Sequence, residues 1–127
     1  MPATGQDVTV WQGDTHVLSF RIDDGSTPPN PVDLTGASAR WWAAKTATST
    51  GSDIFIMKST DAATVTLSTD STWWYVNVPI NPPDTQHIPK GKWYHEVEVV
   101  TSGGAYARGA IGKFIVMPSL IPSSLGP

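Results

Sequence analysis

Two acidic side chains are the first candidates for chemistry in this sequence. Glu96 and Glu98 are two residues apart, so on a β-strand they would share one face at a separation of about 7 Å. Glycoside hydrolases use two carboxylates about 5 to 10 Å apart, and this spacing fits that requirement. Alternating Glu residues are also common on the solvent face of strands, where they prevent unwanted pairing. We therefore predict no enzyme, and a glycan-cleaving activity of this pair is only the third hypothesis.

Metal and phosphate sites are not indicated either. The histidines His16, His87 and His95 are scattered and the chain has no cysteine, whereas zinc sites need clustered ligands at short, regular spacings. Residues 23–25 (DDG) resemble the start of a calcium loop but lack its spacing and closing Glu, so they predict a turn. Residues 109–114 (GAIGKF) lack the first Gly at the spacing that a phosphate loop requires, and no Ser or Thr follows the Lys. The sequence predicts no catalytic, cofactor-binding or metal-binding residues, and no cofactor.

The composition limits the possible partners. The 127 residues are enough for one domain, and only 15% of them are charged. With 8 basic against 11 acidic residues and a net charge of -3, the chain lacks the clustered positive charge that holds a nucleic acid backbone. No apolar run approaches the roughly 18 residues that a membrane helix needs, and the first residues lack a signal-peptide pattern. We expect a protein made in the cytoplasm that binds neither nucleic acid nor membrane.

The predicted secondary structure consists of β-strands. Apolar residues recur with a period of two, and no stretch keeps the period of an amphipathic helix. We expect residues 53–58 and 64–68 to pair as a hairpin, and the last two strands to form another through the turn at residues 102–104. Pro79 indicates an edge or exit at the end of its strand. The expected strands are residues 8–11, 15–23, 37–47, 53–58, 64–68, 73–80, 92–101 and 105–117.

Short strands separated by frequent turn signals are typical of a two-sheet sandwich. We predict an all-β fold, a single immunoglobulin-like β-sandwich of about seven or eight antiparallel strands, with a small β-barrel as the runner-up. The sandwich domain would span residues 1–117. Residues 118–127, rich in proline and without charge, would form an extended C-terminal arm.

Alternation also predicts which aromatic side chains point away from the core. Placing Val76, Val78 and Val97 inside leaves large aromatic residues on the outer faces. Exposed aromatics mark partner surfaces, since Trp and Tyr dominate interface hot spots; alternatively, loops or the arm cover both faces. The predicted partner interface comprises Trp42, Trp73, Tyr75 and Tyr94, together with Leu120 and Ile121 of the arm.

Several short motifs follow one another along the chain: GDT at residues 13–15, FRIDDG at 20–25, VDLTGA at 32–37, PDT at 83–85, PKGKWYHEVEV at 89–99, and the strand at 109–116. Their order is similar to that in small β-sandwich modules of tailed bacteriophages. The chain resembles the N-terminal domain of baseplate upper proteins over about residues 12–116, although its Trp-Trp pairs at residues 41–42 and 73–74 depart from that pattern. The resemblance implies a free-standing virion component and contributes no catalytic or ligand residues.

Two functions follow as hypotheses. The leading one is a non-enzymatic bacteriophage structural protein, located in the virion, that docks other virion proteins in symmetric copies. It would be a tail, neck or baseplate adaptor for fibres, or a capsid decoration protein. The alternative is a carbohydrate-binding module, in which Trp42, Trp73, Tyr75 and Tyr94 form a platform that stacks against a glycan.

Overall fold

The structure is a computed structural model that describes residues 7–46 and 54–118, with the backbone alone for residues 106–111. Strands make up nearly all of the regular secondary structure of the described residues, as the alternation predicts. The elements are β1 (Val8–Trp11), β2 (His16–Ile22), β3 (Ser38–Ala44), β4 (Ile54–Ser59), β5 (Thr66–Thr69), β6 (Trp74–Ile80), the one-turn helix α1 (Pro82–Thr85), β7 (Gly91–Val100) and β8 (Tyr106–Met117).

The strands form two sheets that pack face to face. The large sheet has the order β1-β8-β7-β3-β4, and the small sheet has the order β2-β6-β5. In immunoglobulin domains strands B, E and D share one sheet and strands C, F and G the other. Here β2, β6 and β5 take the first set of positions, and β3, β7 and β8 take the second. The prediction of an immunoglobulin-like β-sandwich is therefore confirmed, and the two separate sheets do not close into a barrel.

Aromatic rings join the two sheets at the centre of the core. Trp41 on β3 is fully buried; its indole N–H donates to Nδ1 of His95 at 3.2 Å, and its ring meets the edge of Phe114 at 5.5 Å between centroids. The His95 ring lies 5.4 Å from the ring of Phe20 in the small sheet. In antibody domains a Trp on strand C packs against a disulfide between strands B and F. The Phe20–His95 contact joins the equivalent strands here without cysteine.

A second aromatic residue fixes the entry of the chain into β7. The indole N–H of Trp93 donates to the Pro89 carbonyl at 2.9 Å, and its ring packs against Phe55 of β4 with 5.1 Å between centroids. Immunoglobulin-like domains often use a Tyr near the start of strand F, bonded to backbone a few residues upstream, for the same purpose. Gly91 precedes this corner with φ +151, a backbone conformation that other residues rarely adopt.

A buried lysine ties the large sheet to the end of the small one. The Lys58 side chain on β4 is 7% exposed. Its Nζ donates to the Pro79 carbonyl and to Oδ2 of Asp84, each at 2.6 Å. The same Asp84 oxygen accepts the backbone N–H of Asn81 at 2.7 Å, which caps α1. A charge is retained at such a position only when it is paired and hydrogen-bonded.

The predicted hairpin of residues 53–58 and 64–68 is wrong. Strand β4 pairs with β3 in the large sheet, whereas β5 pairs with β6 in the small sheet, so the connection between them crosses from one sheet to the other. Alternation identifies a strand but does not identify its neighbour, and a short linker suits a crossover as well as a hairpin.

The direction of the first strand also needs correction. Strand β1 runs parallel to β8, with Val8 opposite Phe114, although all strands were expected to be antiparallel; alternation carries no information on strand direction. The loop before β7 contains the helix α1, because Asn81 and Asp84 form a capping box around prolines that fit the first helical turn.

Other expectations agree with the structure. Strands β7 and β8 form the predicted hairpin. Strand β5 begins opposite Asn77, so among the described residues Pro79 of β6 pairs only with β2, as expected for an exit. Leu120, Ile121 and most of the predicted arm lie outside the described residues, and the domain boundary stays a prediction. In the described part of the chain no helix has the length and hydropathy to cross a membrane.

The two adjacent tryptophans of β3 give a direct test of this core. We expect Trp41→Ala to lower the free energy of unfolding by about 3 to 5 kcal/mol, because it removes a fully buried aromatic residue. Trp42→Ala should cost about 1 kcal/mol, since its side chain points outward. Urea unfolding followed by far-UV circular dichroism measures both. Equal losses would contradict the assignment of faces.

Candidate functional site

The outer face of the large sheet carries a cluster of large apolar side chains. Trp42 lies opposite Met57 on β4, and Tyr94 on β7 is its diagonal neighbour because Tyr94 lies opposite Ala44. Met57 is 59% exposed and Tyr94 is 38% exposed, while Trp42 is half-buried. We call Trp42, Met57 and Tyr94 the Trp42 patch.

Charged side chains border this patch. Arg40, two residues before Trp42, forms an ion pair with Glu98 at 2.7 Å, and a second nitrogen of its guanidinium donates to the same carboxylate oxygen at 2.9 Å. A shallow depression of about 190 Å³ opens beside this pair and extends to Asp61. An apolar centre with a polar border is the usual composition of a protein–protein interface.

The outer face of the small sheet also carries an arginine over a tryptophan ring, at a shorter distance than the 5.6 Å between the Arg40 guanidinium carbon and the centre of the Trp42 ring. The guanidinium carbon of Arg21 lies 4.0 Å from the centre of the Trp73 ring, a cation–π contact. Arg21 lies opposite Tyr75 across the β2–β6 pair, and the Tyr75 hydroxyl donates to Oδ2 of Asp70 at 3.2 Å. We call Arg21, Trp73, Tyr75 and Asp70 the Trp73 cluster.

Hydrogen bonds set the ionisation of the acidic member of this cluster. The backbone N–H groups of Trp73 and Thr72 hold the pKa of Asp70 below its ordinary value of 3.8. Partial burial of the phenol raises the pKa of Tyr75 above its ordinary value of 10.0, and the hydrogen bond to Asp70 raises it further. The cluster therefore keeps a charged carboxylate and a neutral phenol at neutral pH.

The structure separates the four predicted interface aromatics. Trp42 and Tyr94 lie on the outer face of the large sheet, whereas Trp73 and Tyr75 lie on the outer face of the small sheet, on the opposite side of the sandwich. The single platform of four aromatics expected for a carbohydrate-binding module is therefore wrong. Each face presents two of these residues, and Arg21 covers one face of the Trp73 ring.

The histidines take separate structural positions. His95 belongs to the core, His16 accepts the backbone N–H of Trp11 at 3.3 Å through Nε2, and His87 is exposed in the loop after α1. Within residues 7–46 and 54–118, no three His, Asp or Glu side chains gather where they could hold a metal ion.

The acidic candidates also have structural partners. Glu96 is 8% exposed and Arg40 holds Glu98, so the two carboxylates present no accessible pair to a substrate. Asp24 organises its own loop, because hydrogen bonds from Ser26 and Asn30 surround its carboxylate and hold its pKa well below the usual range. This network agrees with the predicted turn at residues 23–25.

Sequence reasoning missed Met57, the most exposed member of the Trp42 patch. Residues 54–57 are all apolar, so β4 shows no alternation. The charge of Lys58 favours an outward position for that residue and would place Met57 in the core. The structure has the reverse arrangement because Lys58 points inward to Asp84. The sequence signal for a buried Lys58 was the acidic residue Asp84 in a distant loop, which could pair with the lysine.

Comparisons with known proteins add little. No family model and no curated protein matches the sequence. Among solved structures the chain is similar to murine CRIg, with 11% sequence identity over 90% of this chain and 92% of that chain, and a TM-score of 0.34. The assignment of the fold therefore depends on strand order and core contacts.

The ionisation of Asp70 gives a pH test of the Trp73 cluster. Its pKa is lower in the folded chain than in the unfolded chain, so it contributes stability that is present above about pH 3.8 and is lost as the pH falls through the folded value. We expect Asp70→Asn to lower stability at pH 6 and to reduce its dependence on pH between 4 and 2. Thermal unfolding across this range measures the effect, and an unchanged pH profile would contradict the described contacts.

Proposed function

We propose that this chain is a non-enzymatic structural module of a bacteriophage particle, and that it docks another virion protein through the outer face of the large sheet. The observation that carries the proposal is the Trp42 patch, in which Met57 is 59% exposed beside two aromatic residues. Tyr, Trp and Met are enriched in the buried centres of protein interfaces.

The shape of this face supports a protein partner over a small molecule. Small ligands bind in concave sites that enclose most of their surface. The patch instead lies on a sheet face, and the depression beside it is open and bordered by the Arg40–Glu98 ion pair. A partner with an apolar centre would cover Trp42, Met57 and Tyr94 together and leave the ion pair at the solvated border.

The proposal of a virion location depends on the sequence motifs that resemble small β-sandwich modules of tailed bacteriophages. The absence of cysteine is compatible with assembly in the reducing cytoplasm of an infected cell. A core in which aromatic ring contacts join the two sheets needs neither disulfides nor metal ions. Such a module would be ready to assemble as soon as it folds.

Incorporation into particles tests the docking face. We expect Met57→Glu to lower the copy number of the chain in purified virions at least tenfold, because a carboxylate would be buried in the apolar centre of the interface. Thr66→Glu is the matched control, since Thr66 is an exposed strand residue on the outer face of the small sheet. Quantitative mass spectrometry of particles from complemented infections measures both variants. Equal incorporation of the two variants, or particles that lack the wild-type chain, would refute the proposal.

A glycan array tests the carbohydrate-binding alternative. With two aromatics on each face and one Trp73 ring face covered by Arg21, we expect the wild-type chain to give background signal. Trp42→Ala and Trp73→Ala should give the same signal. A glycan that binds the wild-type chain and loses binding with either substitution would favour the alternative.

A further inference from the structure

The four edge strands of the sandwich differ in how well they are protected against pairing with another chain. Short edges, bulges and inward-pointing charges all discourage such pairing. Strands β1 and β5 have four residues each. Strand β4 carries the inward-pointing Lys58 and a register shift opposite Ala43 and Ala44. Three of the edges therefore have at least one of these protections.

Strand β2 is the exception. It has seven residues, pairs with β6 without any register shift, and contains neither proline nor glycine. Among the described residues no strand pairs with its other edge. Its one charged residue, Arg21, lies against the Trp73 ring. An edge of this length that is neither short, bulged nor marked by an inward-pointing charge is a template for an additional strand.

From this edge we infer that two copies of the chain pair through β2, antiparallel and about a two-fold axis at Ser19. The small sheets would then join into one continuous sheet with the order β5-β6-β2-β2-β6-β5. This inference is independent of the docking face, which lies on the other sheet. A two-fold contact of this kind uses the same surface on both copies and closes at a dimer.

The side chains of β2 suit this register. With Ser19 opposite its own copy, Val17 lies opposite Arg21 of the second copy, so no like charges meet. Val17 is 64% exposed and has the highest exposure among the exposed large hydrophobic residues of the described chain. In the dimer it would pack against the stack of Arg21 on Trp73. The inward residues Leu18 and Phe20 of the two copies would also lie opposite each other and extend the core.

Cross-linking tests the register directly, because the native chain has no cysteine. Opposed residues of antiparallel strands have Cα atoms about 4.5 to 5.5 Å apart, within the range for a disulfide. We expect oxidised Ser19→Cys to form a disulfide-linked dimer. Ser68→Cys is the matched control, since Ser19 and Ser68 are both exposed and both bond to the Asn77 side chain. Cross-linking at both positions or at neither would overturn the inference.

Charge substitution at the same residue tests the interface without a covalent bond. We expect sedimentation velocity to show a wild-type dimer, and Ser19→Lys and Ser19→Glu each to weaken self-association at least tenfold, because like charges would meet at the axis. An equimolar mixture of the two variants should restore the dimer, whereas Ser68→Lys should behave as wild type. A monomeric wild-type chain, Ser19 variants that still dimerise, or a mixture that stays monomeric would overturn the inference. Circular dichroism confirms that each variant is folded.

Discussion

Ring contacts between the two sheets determine which side chains of β2, β3 and β7 face the core. Phe20 on β2 meets His95 on β7, and Trp41 on β3 donates its indole N–H to the same histidine. Once these three side chains point inward, the alternation of each strand places Arg21, Tyr94 and Trp42 outward. A disulfide would impose the same constraint in an oxidising compartment. Here packing and one buried hydrogen bond impose it, so the inner and outer faces of the three strands are fixed together.

The buried Lys58–Asp84 pair has the same effect on β4. Its apolar residues could face either way, and hydrophobicity alone favours Lys58 outside and Met57 inside. The pairing of Lys58 with Asp84 and with the Pro79 carbonyl reverses this arrangement. Met57 consequently joins Trp42 and Tyr94 on the outer face. The patch that we propose as a docking surface is thus a product of an ion pair on the opposite side of the strand.

These contacts explain which features the sequence could predict. Strands with clear alternation, such as β2 and β7, could be located together with their inward faces, and the Gly-containing turn at residues 102–104 identified the last hairpin. The neighbours of β4 and β5 and the direction of β1 could not be predicted, because they depend on which sheet each strand joins. The candidate site could be predicted only in part: Trp42 and Tyr94 were identified, but Met57 and the opposite locations of the two aromatic pairs depend on tertiary contacts.

We propose that the outer face of the large sheet is covered in the assembled particle. Hydroxyl-radical footprinting tests it most directly, since Met, Trp and Tyr are among the side chains that hydroxyl radicals oxidise most readily. We expect oxidation of Met57 and Tyr94 to fall several-fold in intact virions relative to the free chain, while that of Tyr75 on the opposite sheet stays the same. Unchanged oxidation of Met57 and Tyr94, or protection of Tyr75 alone, would contradict it.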